Sequence, residues 1–389
     1  RRAAAAGERA DVVIVAMPPP VSAQVNRYFT VEFFREVRRI LTPGGLVAVS
    51  APGAANYYPE DLSQFLSSTS ATLAAVFPHV AYLPGERFIF LASPQPFAAG
   101  AAPYAAALRR YGVRADFLTE SHFRYRLTPD RVEAAALAAG DEAEVNADLR
   151  PTALYYGLAV WSSRLGGAET AILKAARRLR LWYIVAFAAL LAAPWFIWRR
   201  RLGGRPALLL VVAVQGFVEV ALEILIIFGY QVVYGAAYLE MALIVGAFMA
   251  GLALGGLLPR PGTPVRDRRK LVYILAYTIL LACALPPTFY LLARGAEVPT
   301  AVVHLLFGGL ALAAGACGGA QFVVALRLAG ERAAGALYGT DLLGSAAGAV
   351  VTAVALVPVL GLARAAGAVA ALAAATMAAV AVGARRTTA

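Results

Sequence analysis

From Leu181 to Val382 the chain is a succession of long apolar runs separated by short basic clusters, and this pattern limits the fold more than any other feature of the sequence. The runs are Leu181 to Trp198, Pro206 to Phe228, Tyr238 to Leu258, Leu271 to Ala293, Ala301 to Leu326, Leu337 to Leu360 and Leu362 to Val382. All but the first exceed the roughly 20 residues a helix needs to cross a bilayer. With 60% hydrophobic residues in 389 and a mean hydropathy of +0.67, the chain is too apolar for a wholly soluble protein. Residues 181–389 therefore read as an all-α polytopic membrane domain of six to seven helices.

Charge orients these spans. Up to Ser163 the chain carries 15 Lys+Arg and 15 Asp+Glu, and from Arg164 onward 20 against 8, so all of the net +12 lies in the second half. A pI near 9.9 could suggest nucleic acid, but the basic residues fall between apolar spans, as in cytoplasmic loops, and a nucleic-acid partner is rejected. The flanks Arg199 to Arg205, Arg260 to Lys270, Arg327 to Arg332 and Arg385-Arg386 hold 13 basic residues, while the alternate flanks hold only Arg294 and Arg364. The first set should be cytoplasmic at the cell's inner (plasma) membrane. Leu181 to Trp198 has basic clusters on both sides; its shortness and Pro194 favour an interfacial or re-entrant segment, which keeps residues 1–163 cytoplasmic. The linker 164–180, with Arg164, Lys174, Arg177, Arg178 and Arg180, reads either as a juxtamembrane helix against anionic lipid, at about 1 kcal/mol per basic residue, or as a plain stop-transfer flank.

The first half has a different periodicity. Asp11 to Ala16 is a short β-branched run of the kind a parallel strand buried on both faces needs, and Pro18-Pro19-Pro20 stops it. From Thr30, a cap residue, Phe33, Phe34, Val37, Ile40 and Leu41 recur at helical intervals with Glu32 in the first turn. Pro43-Gly44-Gly45 then turns the chain into a second strand, Leu46 to Ser50. This is a βαβ unit, and ligands of open parallel sheets sit beyond the carboxyl ends of the strands, here the loop after Val15. Further on, Asp61 to Val76, Tyr104 to Tyr111 and Asp130 to Ala139, opened by Thr128-Pro129, have helical spacing. Val80 to Leu83 and Arg87 to Ala92 read as an antiparallel pair closing one sheet edge. Arg1 to Ala10 shows no apolar core of a signal peptide and looks like the tail of a helix that begins upstream.

The order of several pieces carries a resemblance: Asp11-Val-Val-Ile-Val15, Ser22-Ala23-Gln24, Tyr28-Phe29-Thr30-x-Glu32-Phe33-Phe34, Leu41-x-Pro43-Gly44-Gly45, Leu83-Pro84-Gly85-Glu86-Arg87 and Asn146-x-Asp148-x-Arg150-Pro151. Together they resemble the later part of the spermidine synthase (polyamine aminopropyltransferase) domain. Gly216-Phe217 through Glu223-Ile224, Gln231-x-x-Tyr234-Gly235 and Ala247-Phe248-Met249-x-Gly251-Leu252-Ala253-x-Gly255 resemble the membrane segments of membrane-fused members of that family. The resemblance implies an α/β class I methyltransferase-like (Rossmann-like) partial domain over residues 1–163, a decarboxylated S-adenosylmethionine donor and a polyamine acceptor. It also implies that the donor's glycine-rich turn and acidic residue lie upstream of Arg1; no G-x-G-x-x-G follows a strand in the residues present.

In soluble members of the family the first strand here leads into an Asp-x-x-Asp-Pro loop, because the attacking amine must lose a proton and a cationic diamine needs carboxylates to position it. At those positions this chain has Ala16 and Pro19, followed by Pro20, so transfer is expected to be impaired or absent. Asp148 and Glu86 either border the site or are loop carboxylates satisfied by backbone. Gln24 and Tyr28 are substrate-binding candidates, Tyr28 alternatively core. Neither Cys283 and Cys317, both inside apolar runs, nor three scattered histidines suggests a metal site. In the membrane half Gln215, Glu219 and Glu223 form one polar stripe at four-residue spacing, with Glu240 and Asp341 near other spans. The stripe must face the bundle, since a charge at the bilayer centre costs about 2.5–3.5 kcal/mol. It is either packing, with Glu219 and Glu223 protonated or bonded to neighbouring helices through groups such as Gln321, or a cation site suited to a polyamine. A membrane permease or sensor for polyamines or other organic cations is the second functional class. Gly251-x-x-x-Gly255, Gly315-x-x-x-Gly319, Gly335-x-x-x-Gly339 and Gly344-x-x-x-Gly348 would let helices approach closely.

Overall fold

The β-branched run near the start forms strand β1 (Ala10–Val15). The computed structural model describes residues 7–55, 57–113, 116–140, 143–165, 205–235, 238–293 and 298–384, which fall into two units, Arg1–Ile172 and Leu173–Ala389. The expected segment Leu181 to Trp198 and most of the basic linker lie outside the described residues.

After the prolines, a short helix α1 (Ala23–Asn26) starts on Ser22, whose Oγ accepts from the Val25 N–H, and a 3₁₀ turn follows over Arg27–Phe29. Helix α2 (Val31–Ile40) opens as expected at Thr30, whose Oγ1 accepts from the Phe33 N–H at 3.4 Å. Strand β2 (Leu41–Ala54) is longer than the expected Leu46 to Ser50. Its ladder with β1 pairs Ala10 with Leu41 and resumes at Val12 with Leu46, so Pro43-Gly44-Gly45 bulges out of a strand rather than preceding one. Helix α3 (Glu60–Ala74), strand β3 (His79–Leu83) and strand β4 (Gly85–Ser93) follow. Only Pro84 separates β3 from β4, with Gly85 at φ 145 making the turn. The sheet order is β1-β2-β4-β3, β1 parallel to β2 and the other pairs antiparallel. β4 pairs along β2 from Val47 to Ala54, which is why β2 extends past Ser50.

Helices α4 (Ala101–Arg110), α5 (Glu120–Arg126), α6 (Pro129–Gly140) and α7 (Thr152–Leu165) complete this unit. One sheet face, carrying Val15, Val47, Val49, Ala51, Phe88 and Phe90, packs against Phe34, Val37, Phe65, Leu66, Ala135 and Val160. Each fully buried Phe contributes about 1.5–3 kcal/mol. The other face corrects the expectation of a strand buried on both sides: Val12 is 56% and Ile14 72% exposed. Among the described residues β1 is an edge strand, and its second face has no cover. This small mixed sheet is compatible with the later part of the expected Rossmann-like fold.

The second unit is helical: α8 (Arg205–Tyr234), α9 (Tyr238–Leu257), α10 (Pro264–Ala293), α11 (Thr300–Ala329), α12 (Ala334–Val351), running on through a wider π turn over Thr352–Leu360, and α13 (Gly361–Ala384). Five stretches are long and apolar enough to cross a membrane, the last being the 51-residue Glu331–Ala381. As one straight rod that stretch would measure about 76 Å. It is broken at Gly361, where φ is 75, and turns back. Val380, near its end, packs with Val211, Leu271 and Val324, while Leu337, near its start, packs with Val212 and Ala325. Starts of α8, α10 and α12 and ends of α11 and α13 thus share one end of the bundle. Arg327 and the α9–α10 connection meet there, through Arg327 Nη2 donating to the Pro259 carbonyl at 2.7 Å.

Glycines set the closest helix contacts. A Cβ on Gly319 would lie 1.9 Å from the Leu252 carbonyl oxygen, one on Gly255 2.1 Å from that of Ala316, and one on Gly344 1.9 Å from that of Ala213. α9 therefore packs along α11, and α8 along α12, at backbone-to-backbone distance. Gly335 and Gly339 have nothing within 4 Å of a built Cβ, which corrects the expectation for that motif.

Candidate functional site

Beyond the carboxyl end of β1 lie Ala16 and Met17, then the prolines and α1. Ala16 is exposed, Pro19 half-buried and Pro20 buried; Gly157 of α7 sits so close to Pro20 that a Cβ there would be 2.3 Å from the Pro20 carbonyl oxygen. The loop is thus held by close packing, and its three prolines have no N–H to donate. Gln24 is exposed on α1. Tyr28 is also at the surface, its ring edge-on to Phe33 with centroids 5.4 Å apart, whereas Phe29 is the core residue. The alternative of Tyr28 as core is therefore corrected.

Asn146 holds this region together. Its side-chain amide donates to Asn26 Oδ1 at 3.2 Å and to the Phe29 carbonyl at 2.9 Å, and its Oδ1 accepts from the Ala153 N–H at 3.1 Å. Its own N–H donates to Thr72 Oγ1 at 2.9 Å, and its carbonyl accepts from the Val31 N–H at 2.9 Å. Two residues on, Asp148 is 4% exposed. Its Oδ1 accepts from Thr30 Oγ1 at 2.8 Å and its N–H donates to Glu32 Oε2 at 3.0 Å. The segment 146–150 thus fastens onto the first turn of α2. Glu86 is exposed near the β3–β4 turn, at the same end of the sheet, since Gly85 pairs with Ala54 at the end of β2. Beside it the Arg126 guanidinium donates to the Pro84 and Arg87 carbonyls. Burial lowers the Arg126 guanidinium below its ordinary value and raises the Tyr58 phenol, on which Arg126 acts in the opposite sense.

The loop beyond the carboxyl end of β1 therefore offers an exposed amide, an exposed phenol and apolar loop atoms. Asp148 is occupied by Thr30, and Glu86 lies two strands from the loop. Among the described residues the loop itself carries no carboxylate, while Glu32, Glu60 and Asp61 stand in the first turns of the helices that follow β1 and β2.

The helical unit holds the second group of polar residues. Gln215, Glu219 and Glu223 are all buried on α8. Gln215 Nε2 donates to Thr278 Oγ1 of α10 at 3.3 Å. The Glu219 carboxylate lies over Gly318 of α11, where a Cβ would be 2.0 Å from Oε2. Asp341 of α12 lies against Gly216 and interacts electrostatically with Glu219. Periodicity identified the stripe on α8; the meeting of Asp341, Thr278 and Gly318 around it is tertiary. A further cluster the sequence did not reveal lies toward the other end of α8: Tyr230 Oη is 3.1 Å from His304 Nε2, itself 4.0 Å from Glu240. Cys283 and Cys317 are free, and no group of three potential metal ligands occurs among the described residues.

The class these observations define is a small mixed-sheet unit followed by a bundle of helices long and apolar enough for a bilayer. No family model matches the chain. Over 80 residues it is 31% identical to a polyamine aminopropyltransferase from Pyrobaculum calidifontis. The match is 20% of this chain and 27% of the relative, so the chain spans just over a quarter of that relative's length. This similarity supports a spermidine-synthase-like relationship.

Proposed function

We propose that the chain is a membrane-bound, spermidine-synthase-like protein of the polyamine aminopropyltransferase type whose mixed-sheet unit does not itself transfer aminopropyl groups. The observation that carries this reading is the loop after β1: it stands where ligands of such sheets bind, yet Ala16 and Pro19 can neither accept a proton nor pair with an ammonium. In the related enzymes the donor is decarboxylated S-adenosylmethionine. The residues that hold it there have no counterpart among those described here, so no catalytic step is assigned to it. What remains is a rigid frame, pinned by Asn146, with Gln24 and Tyr28 exposed at its rim. The helical unit lies in the inner (plasma) membrane, and the mixed-sheet unit is on the cytoplasmic side.

Incubation of the purified chain with putrescine and decarboxylated S-adenosylmethionine, followed by mass spectrometry, is expected to yield no spermidine. Product formation that disappears in Asp148→Asn would overturn the reading, because it would make Asp148 the missing acid.

A further inference from the structure

The interior of the helical unit collects acidic and amide side chains from three helices, Gln215 and Glu219 of α8, Gln321 of α11 and Asp341 of α12. Asp341 of α12 lies against Gly216, one helical turn from Glu219 on α8, and no Lys, Arg or His among the described residues forms an ion pair with either. Gln215 Nε2 donates to Thr278 Oγ1, and Thr278 Oγ1 donates to the Ile274 carbonyl at 3.0 Å. Two amide oxygens are left over: Gln215 Oε1 and Gln321 Oε1 are buried and have no partner, their residues being 1% and 2% exposed. Gln321 is one helical turn from Gly318, over which the Glu219 carboxylate lies. Glu223, the next turn along α8, adds a further buried acid.

Buried acceptors left unpaired cost about 1–3 kcal/mol each, and buried carboxylates more. A lining of this kind is matched by an occupant that brings both positive charge and donors. We propose that Glu219 and Asp341, with the amide oxygens of Gln215 and Gln321, bind an alkylammonium ion inside the helical bundle. A single protonated amine nitrogen supplies up to three N–H donors directed at such oxygens, and its carbon chain suits the apolar helix walls. Two carboxylates suit a diamine better than a monoamine. Gly318 is the residue that makes room: any side chain there takes the space of the Glu219 carboxylate. This site involves none of the residues of the mixed-sheet unit, and it stands or falls separately from the transferase-like reading.

The test uses the full chain in lipid nanodiscs with radiolabelled methylammonium and 1,4-diaminobutane as probes. Saturable binding is expected, tighter for the diamine, and weakened at least tenfold in Glu219→Gln and Asp341→Asn. Glu331→Gln, an exposed acid outside the bundle interior, should bind within twofold of the native chain. Should Glu219→Gln not fold, Gly318→Ala keeps the charge but displaces the carboxylate, and is expected to weaken binding likewise. Diaminobutane should also raise the melting temperature of the native chain and not that of the variants. Absence of amine binding to the native chain, equal binding by the variants, or binding of labelled sodium at these acids that amines fail to displace would each overturn the proposal.

Discussion

Asn146 shows how much one side chain can hold. Its amide and backbone join the α1 end, the first turn of α2, α3 and the start of α7 through five hydrogen bonds. Asn146→Ala would strip three of them and leave Asn26 Oδ1, the Phe29 carbonyl and the Ala153 N–H unpaired in the interior. An expected loss of about 2–3 kcal/mol can be checked by urea unfolding followed by circular dichroism; a loss below about 0.5 kcal/mol would contradict the role. The residue was visible in the sequence within Asn146-x-Asp148, but its work was not, because Asn26 and Phe29 stand 120 and 117 positions away. Tyr28 and Phe29 make the same point. Both are aromatic and adjacent, and only the tertiary fold decides that Phe29 goes inward and Tyr28 stays out.

Among elements, α2 and the long apolar helices were legible because their signals are local: a cap, a period of 3.6, an uninterrupted apolar run. The extent of β2 was not, since it is set by pairing with β4 some forty residues on. Short polar helices such as α5, which buries none of its residues, gave no periodic signal. The glycine motifs separate the two kinds of information. Four had the same spacing, yet three face a neighbouring backbone and Gly335-x-x-x-Gly339 does not. Gly319→Ala should therefore drive the α9–α11 backbones apart and destabilise the bundle by about 1–3 kcal/mol, read as a lower melting temperature in detergent. Gly335→Ala should leave that temperature unchanged. A similar loss for both variants would mean that close approach is not what these glycines provide.

At the scale of the whole molecule, the alternation of basic and neutral connections agrees with a bundle whose even and odd helices run in opposite directions. The connection containing Arg260, followed by Arg266 in the first turn of α10, is tied to Arg327 at one end, whereas Tyr230, His304 and Glu240 gather toward the other. With Cys283 and Cys317 replaced, single cysteines at Ser163, Thr263 and Val298 can be labelled in intact cells. Ser163 and Thr263 are expected to be protected together as cytoplasmic sites, and Val298 to react from outside. Opposite labelling of Ser163 and Thr263 would place the mixed-sheet unit across the membrane and overturn the assigned side. Composition made the long apolar helices legible; the sites inside them were hidden, because they join residues from helices far apart in the chain.

The distance in sequence between Glu219 and Asp341 also has a bearing on time. A ribosome adding about 5–20 residues per second needs about 6–24 s to travel the 122 positions that separate them. During that interval α8 already exists with its acids, while α12, along which it packs, has yet to be made. A segment so polar on one side is a poor candidate for early release into lipid. Its stay at the insertion machinery should be prolonged until α11 and α12 emerge, which would make assembly of this bundle a late event rather than a helix-by-helix one.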